Sequence, residues 1–168
     1  MTKRERTLLI ELMKREITPE NFRKRFTVDV VKRPDFIRVL LEKTLEQKQA
    51  NDVEYLLTAI FYFKLFLEEY VDVLCKLMNE HWHVSHENIA SIFQKTKSPK
   101  TIDCLYKAAL TQFKYLKFDE AFALAVKCIW ALGDINTSES REKLKLLSKS
   151  GNEIIKNNAI QQLGRVQK

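Results

Sequence analysis

An all-α fold is what this sequence predicts, and three observations carry the prediction. Only three glycines and three prolines punctuate 168 residues, far fewer turn residues than an all-β chain needs. Apolar residues recur at a period close to 3.6, as in Phe122, Val126, Ile129 and Leu132, and again in Ile155, Ala159, Leu163 and Val166. The punctuation that exists falls between the periodic stretches, where helices start and stop. The length suits one domain, 1–168, able to bury its own core without disulfides or metal.

About ten helices follow in order. The opening "MTKRERTLLIELMKREI" gives an amphipathic helix near 3–16, and Glu11 and Lys14 break its apolar run, so it is no signal peptide. Pro19 opens a helix at 19–26 and Pro34 one at 35–48, because a missing N–H costs nothing in a first turn. Asn51 with Glu54 three residues on reads as a capping box for a helix over 52–66. The most apolar run, Val53 to Leu67, lies there. It contains Glu54 and Lys64 and is shorter than the roughly 20 apolar residues of a membrane span, so a buried core helix is expected and no membrane partner. Helices near 68–80 and 86–95 come next, the second starting at Ser85. Pro99 opens 99–113, Asp119 or its neighbours open 119–133, Thr137 opens 137–149 and Asn152 opens 152–165. Gly133, Gly151 and Gly164 then fall at helix ends, where a left-handed cap favours glycine.

The charge is basic and segregated. Residues 1–48 hold 13 Lys and Arg against 8 acids, residues 49–94 hold 2 against 7, and residues 95–168 hold 14 against 7. An acidic centre between basic ends steers a partner of complementary charge, while solvated lysine-rich helix faces are the plainer reading. Cys75, Cys104 and Cys128 are odd in number and lie in apolar helical patterns. A reducing, cytoplasmic setting and inert thiols are expected, not a disulfide framework.

Helix pairs recur. Leu132-Gly133 returns as Leu163-Gly164 at an offset of 31, and Leu74 overlays Leu105 at 31. Leu105 overlays Leu144 at 39, with "FKYLKF" before Asp119 as the extra length, a projecting loop or an extended helix end. Units of this size built from helix pairs point to an α-solenoid. The segment "CIWALGDINTSESREKLKLLSKSGNEIIKNNAIQQLGRV" resembles the short bacterial type of HEAT repeat, best over Ala121–Val166, less over Asp52–Leu110 and least over the first 50 residues. The resemblance implies repeats over 51–166 behind atypical capping helices at 1–50. It also implies that Gly133 and Gly164 let the next helix cross closely, with Ile135 and Val166 covering the junction.

No catalytic spacing stands out: no Gly-rich phosphate loop, no Gly-x-Ser-x-Gly and no Cys-x-x-Cys, so no enzyme and no cofactor are expected. "HWHVSH" holds every histidine, His81, His83 and His86, but it spans a helix end and the following cap, which aims the rings apart. No metal is expected there. Trp82 is either a binding anchor or a core residue. "KYLKF" and "FRKRF" mix basic and aromatic residues as a nucleic-acid surface does, and HEAT-like DNA glycosylases would cast Trp130 and Asp134 beside a damaged base. The leading expectation is a protein-binding surface on the second helix of each pair. Lys76, Asn79, Tyr106, Lys107, Arg141 and Lys145 contribute, with Trp82 and His83 at its rim. As a short HEAT-like chain the protein also resembles immunity proteins that bind and neutralise a cognate bacterial toxin domain. A general interaction scaffold and nucleic-acid binding are the alternatives.

Overall fold

The computed structural model describes residues 1–166. Among them are ten α-helices and no strand: α1 (Lys3–Met13), α2 (Pro19–Arg25), α3 (Asp35–Gln47), α4 (Ala50–Phe63), α5 (Val71–Met78), α6 (His86–Thr96), α7 (Ile102–Leu110), α8 (Ala123–Ile135), α9 (Ser138–Leu147) and α10 (Glu153–Val166). Every expected helix is present, within a few residues of its expected bounds. Short 3-10 turns at Glu68–Tyr70 and Pro99–Thr101 lead into α5 and α7. No helix among the described residues is long and apolar enough to cross a membrane.

The starts obey local chemistry. Thr2 caps α1 in a box with Glu5, and Thr137 caps α9 in a box with Ser140. Thr18 accepts from the Asn21 N–H with Pro19 at the first helical position. Asn152 Oδ1 accepts from the Ile154 and Ile155 N–H groups at the head of α10. The Asn51–Glu54 box does not form. Helix α4 begins two residues earlier, at Ala50, which places Asn51 inside the first turn instead of at the cap.

The ends contradict the glycine expectation. No glycine has a positive φ; the left-handed positions belong to Arg15, Lys48, Lys64, Lys97, Phe122 and Asn136. Lys48 and Lys64 close α3 and α4, and Asn136, whose short polar side chain tolerates the conformation, closes α8. Gly133 instead lies within α8 and Gly164 within α10. The close approach expected at Gly133 is real. A Cβ there would collide with the side-chain oxygen of Gln162 and sit 3.0 Å from Nη2 of Arg165, both on α10. At Gly164 nothing lies within 4 Å, and nothing in the structure calls for glycine there. The side chain of Val166 lies outside the described residues.

The chain divides into two compact units, Met1–Ser85 and His86–Lys168. In the first, α4 packs against α1 and α3, and α3 against α5. Leu9, Leu12, Phe22, Ile37, Leu41, Leu56, Leu57, Ile60 and Leu74 are fully buried, and Phe22 stacks on Phe26 and Phe63. Tyr70 is also buried and donates its hydroxyl to the Pro34 carbonyl at 2.9 Å. Arg6 on α1 forks onto Asp52 on α4 at 2.6 and 2.8 Å, and only 3% of the Asp52 side chain is exposed.

In the second unit α8 is the central helix, packed against α6, α7, α9 and α10. It is enclosed on so many sides because its buried residues are mostly small: Ala125, Cys128, Ala131 and Gly133 accompany Leu124, Ile129 and Leu132. Polar ties repeat around it. Glu87 on α6 pairs with Lys127 on α8, Gln94 on α6 donates to Asp134 on α8, and Asp103 on α7 pairs with Lys143 on α9, at 3.0, 2.7 and 2.7 Å. Each of the three spans 40 residues.

Candidate functional site

The expected binding residues divide between the two units. In the first, Lys76 and Asn79 are exposed at the end of α5, and the Asn79 side-chain amide donates to the Cys75 carbonyl at 2.9 Å. Trp82 is half-buried, neither core nor free anchor; its indole N–H donates to Glu80 at 2.7 Å.

His83 is not at a rim. It is 1% exposed, its Nε2 lies 2.9 Å from the Leu77 carbonyl, and its Nδ1 accepts from the Ser85 N–H at 3.1 Å. An Nδ1 that accepts leaves the proton on Nε2, which donates to Leu77, so the ring is neutral and pins the turn after α5. Burial lowers its pKa, against the partial lift of the Leu77 hydrogen bond. The turn consumes both ring nitrogens, which the sequence does not announce.

His86 belongs to the second unit. It is buried at the start of α6, tilted over Phe113 with centroids 3.9 Å apart, and its Nδ1 meets the Tyr115 hydroxyl at 2.9 Å. The pair ties α6 to the loop at 111–122, and burial raises the Tyr115 hydroxyl to about 12, helped by the Glu87 carboxylate. Among the described residues no group of three His, Cys, Asp or Glu side chains is placed to hold a metal ion. Cys104 and Cys128 are buried and Cys75 is half-buried, and burial pushes the Cys128 thiol up, away from thiolate chemistry.

The structure does bring residues together on α7 and α9. Tyr106 and Lys107 lie on α7, half-buried and exposed; Arg141 and Lys145 lie on α9, half-buried and exposed. Lys143, which sequence reasoning did not single out, organises this face. Its ammonium sits 5.0 Å over the Tyr106 ring and 2.7 Å from Asp103. That pairing lowers the Asp103 pKa and raises that of Lys143, the hydrogen bond between them being the larger cause. Arg141 turns back onto the Asn136 carbonyl and side chain at 3.1 and 2.8 Å, which completes the end of α8. Lys145 pairs with Glu142 at 2.6 Å. Lys107 is exposed, and its ammonium makes no hydrogen bond or ion pair among the described residues, its carbonyl accepting from the Thr111 hydroxyl at 2.8 Å.

Trp130 and Asp134 are engaged by neighbours. Asp134 accepts from Gln94 at 2.7 Å and from Arg165 at 2.6 Å. Burial works to raise its pKa, but those two hydrogen bonds outweigh it and hold the carboxyl below its ordinary range. The Trp130 N–H donates to Asn158 at 3.2 Å, with Arg165 5.5 Å over the ring.

Beside this face is a groove of about 500 Å³, which the sequence did not reveal. Its lining includes Ala109, Phe122, Leu124 and Ile155, with Lys114 and Lys117 from the loop at 111–122. The inserted "FKYLKF" is thus a projecting loop with a 3-10 turn at Lys114–Leu116 and not an extension of α8. Phe118 at its tip is 88% exposed, and Leu110 at the end of α7 is 51% exposed. Comparison with protein-family models, with curated proteins and with solved structures found no match to this chain.

Proposed function

We propose that the protein is a stoichiometric binding module, a short helical repeat that acts by occupying a partner protein through the outer face of α7 and α9. The 40-residue register carries this reading. Three separate polar ties join residue n to residue n+40, two of them between α6 and α8 and one between α7 and α9. That is the pattern expected when successive helix pairs stack in two layers. The packing of α8 on α6 and α10, and of α7 on α9, supports the same stacking. In such a stack the second helix of each pair presents a continuous surface. Here that surface carries Tyr106, set in place by Lys143 and Asp103 before any partner arrives, flanked by the exposed Lys107 and Lys145.

The HEAT-like sequence "CIWALGDI…QQLGRV" and the segregated charge favour a protein antagonist, of the immunity class that neutralises a toxin domain. The test is binding to the product of a neighbouring gene for a large secreted protein, or to a partner recovered from the native host. Tyr106→Ala removes an aromatic anchor and should cost about 2 kcal/mol of affinity. Lys107→Glu with Lys145→Glu should slow association and flatten its salt dependence. If both variants bind an identified partner as the parent chain does, the face is wrong. If the chain retains no protein but shifts nucleic acid in gels, or turns over a substrate unaided, the class is wrong.

A further inference from the structure

We propose that the groove beneath the loop at 111–122 seats an acid-flanked apolar segment of the partner protein. This rests on the binding-module reading and adds the chemistry of what is bound. The groove lining is apolar where Ala109, Phe122, Leu124 and Ile155 meet, and about 500 Å³ accommodates a few large side chains. Its charge is one-sided in effect. Lys114 and Lys117 are both exposed, and among the described residues no ion pair takes up either ammonium. Asp119 is the acid among the described lining residues, and its carboxylate already accepts from the Ala121 and Ala123 N–H groups at 3.1 and 2.7 Å. An occupant therefore meets two cations that no carboxylate neutralises at the edge of an apolar floor, which selects apolar side chains with carboxylates beside them.

The exposed residues around the groove favour a polypeptide over a small amphiphile. Phe118 is 88% exposed at the tip of the loop, with the Lys117 ammonium 5.7 Å from its ring, and Leu110 is 51% exposed at the end of α7. Leu110 is part of the groove lining and Phe118 is not, so a molecule confined to the groove leaves Phe118 wet, whereas a chain running through it covers that ring as well and gains an aromatic anchor. The loop is held for this by its own base: Phe113 is buried against His86, and Tyr115 bonds to the same ring.

The experiment titrates the isotopically labelled full chain with two short synthetic peptides that share a central Trp-Leu pair, one flanked by Asp and Glu and the other by Lys. The acidic peptide should bind about tenfold more tightly than the basic one and weaken as salt rises. Its amide shifts should be confined to 108–125 and the start of α10. Lys114→Glu with Lys117→Glu should weaken it about tenfold, and Phe118→Ser should weaken it without moving the melting temperature. Equal binding of both peptides, or shifts elsewhere, overturns the proposal. So does a groove that takes laurate or a single-stranded oligonucleotide and no peptide. The identified native partner separates the two levels. If it binds the double charge reversal undiminished while Tyr106→Ala weakens it, the groove inference fails and the binding-module reading stands. If the chain retains no protein partner at all, both fail.

Discussion

The two units fasten their helices by different means. Met1–Ser85 uses large apolar side chains and a nearly buried ion pair: Arg6 reaches from α1 to Asp52 on α4, and Glu5, itself buried, accepts from Thr27 at 2.7 Å. His86–Lys168 uses small residues and close approach. Its central α8 carries Ala125, Cys128, Ala131 and Gly133 against its neighbours, and Gln162 presses on the bare face of Gly133. The first unit is accordingly most vulnerable to the loss of a charge, and the second to the gain of a carbon.

Substitutions in each unit test that contrast, read in chains that keep one of the two tryptophans, Trp82 in the first unit or Trp130 in the second, as the unfolding probe. The largest expected effect is Arg6→Ala. It strands the Asp52 carboxylate, whose side chain is 3% exposed, and should cost about 2–3 kcal/mol in denaturant unfolding. Asp52→Ala should cost less, because the Arg6 left behind is 37% exposed and reaches water. Equal losses from both would show that the pair matters through packing and not through charge.

Gly133→Ala comes next. Its Cβ must displace the fully buried Gln162 side chain, a typical overpacking cost, offset by about 1 kcal/mol of better helix propensity; a net loss of about 1 kcal/mol should remain. Gly164→Ala meets open space and should stabilise by about 0.5–1 kcal/mol. The same dipeptide, Leu-Gly, thus predicts opposite signs at its two occurrences. If both substitutions stabilise, the contact between α8 and α10 at Gly133 is looser than described.

The smallest effect is a slope with pH. His83 is held neutral with a pKa lowered from its ordinary 6.5, so the unfolded chain takes up the proton more readily than the folded one. Its contribution is complete above about pH 6.5 and is lost as pH falls below that value. Asp134 acts only further down, its stabilisation lost as pH falls through a carboxyl pKa held below 3.8. Melting read through Trp82 should therefore respond between neutrality and the carboxylate range. His83→Gln should remove the response.

The helices were legible because their signals are local. Three prolines, Thr137 and Asn152 mark starts, and the 3.6 period marks what lies between. The ends were misread because glycine is sufficient for a left-handed cap but not required. Lys48, Lys64 and Asn136 take those positions, freeing Gly133 for a contact that depends on Gln162, 29 residues further along. Tyr106 and Lys107 could be placed from helix position alone. His83 could not, since its burial follows from how the turn after α5 folds back on Leu77. Nor could the groove, whose walls come from α7, the loop, the start of α8 and the head of α10.

The enclosure of α8 has a consequence in time. A helix packed on four neighbours cannot expose its amides unless those neighbours leave, so α8 should be the slowest to exchange hydrogen in the second unit, tracking opening of the whole unit. The loop at 111–122 runs from the end of α7 directly into α8. Tip residues such as Phe118 and Lys117 are exposed and should exchange independently of that slow centre. Substitutions can thus accumulate at the loop tip while the helix behind it keeps the unit closed.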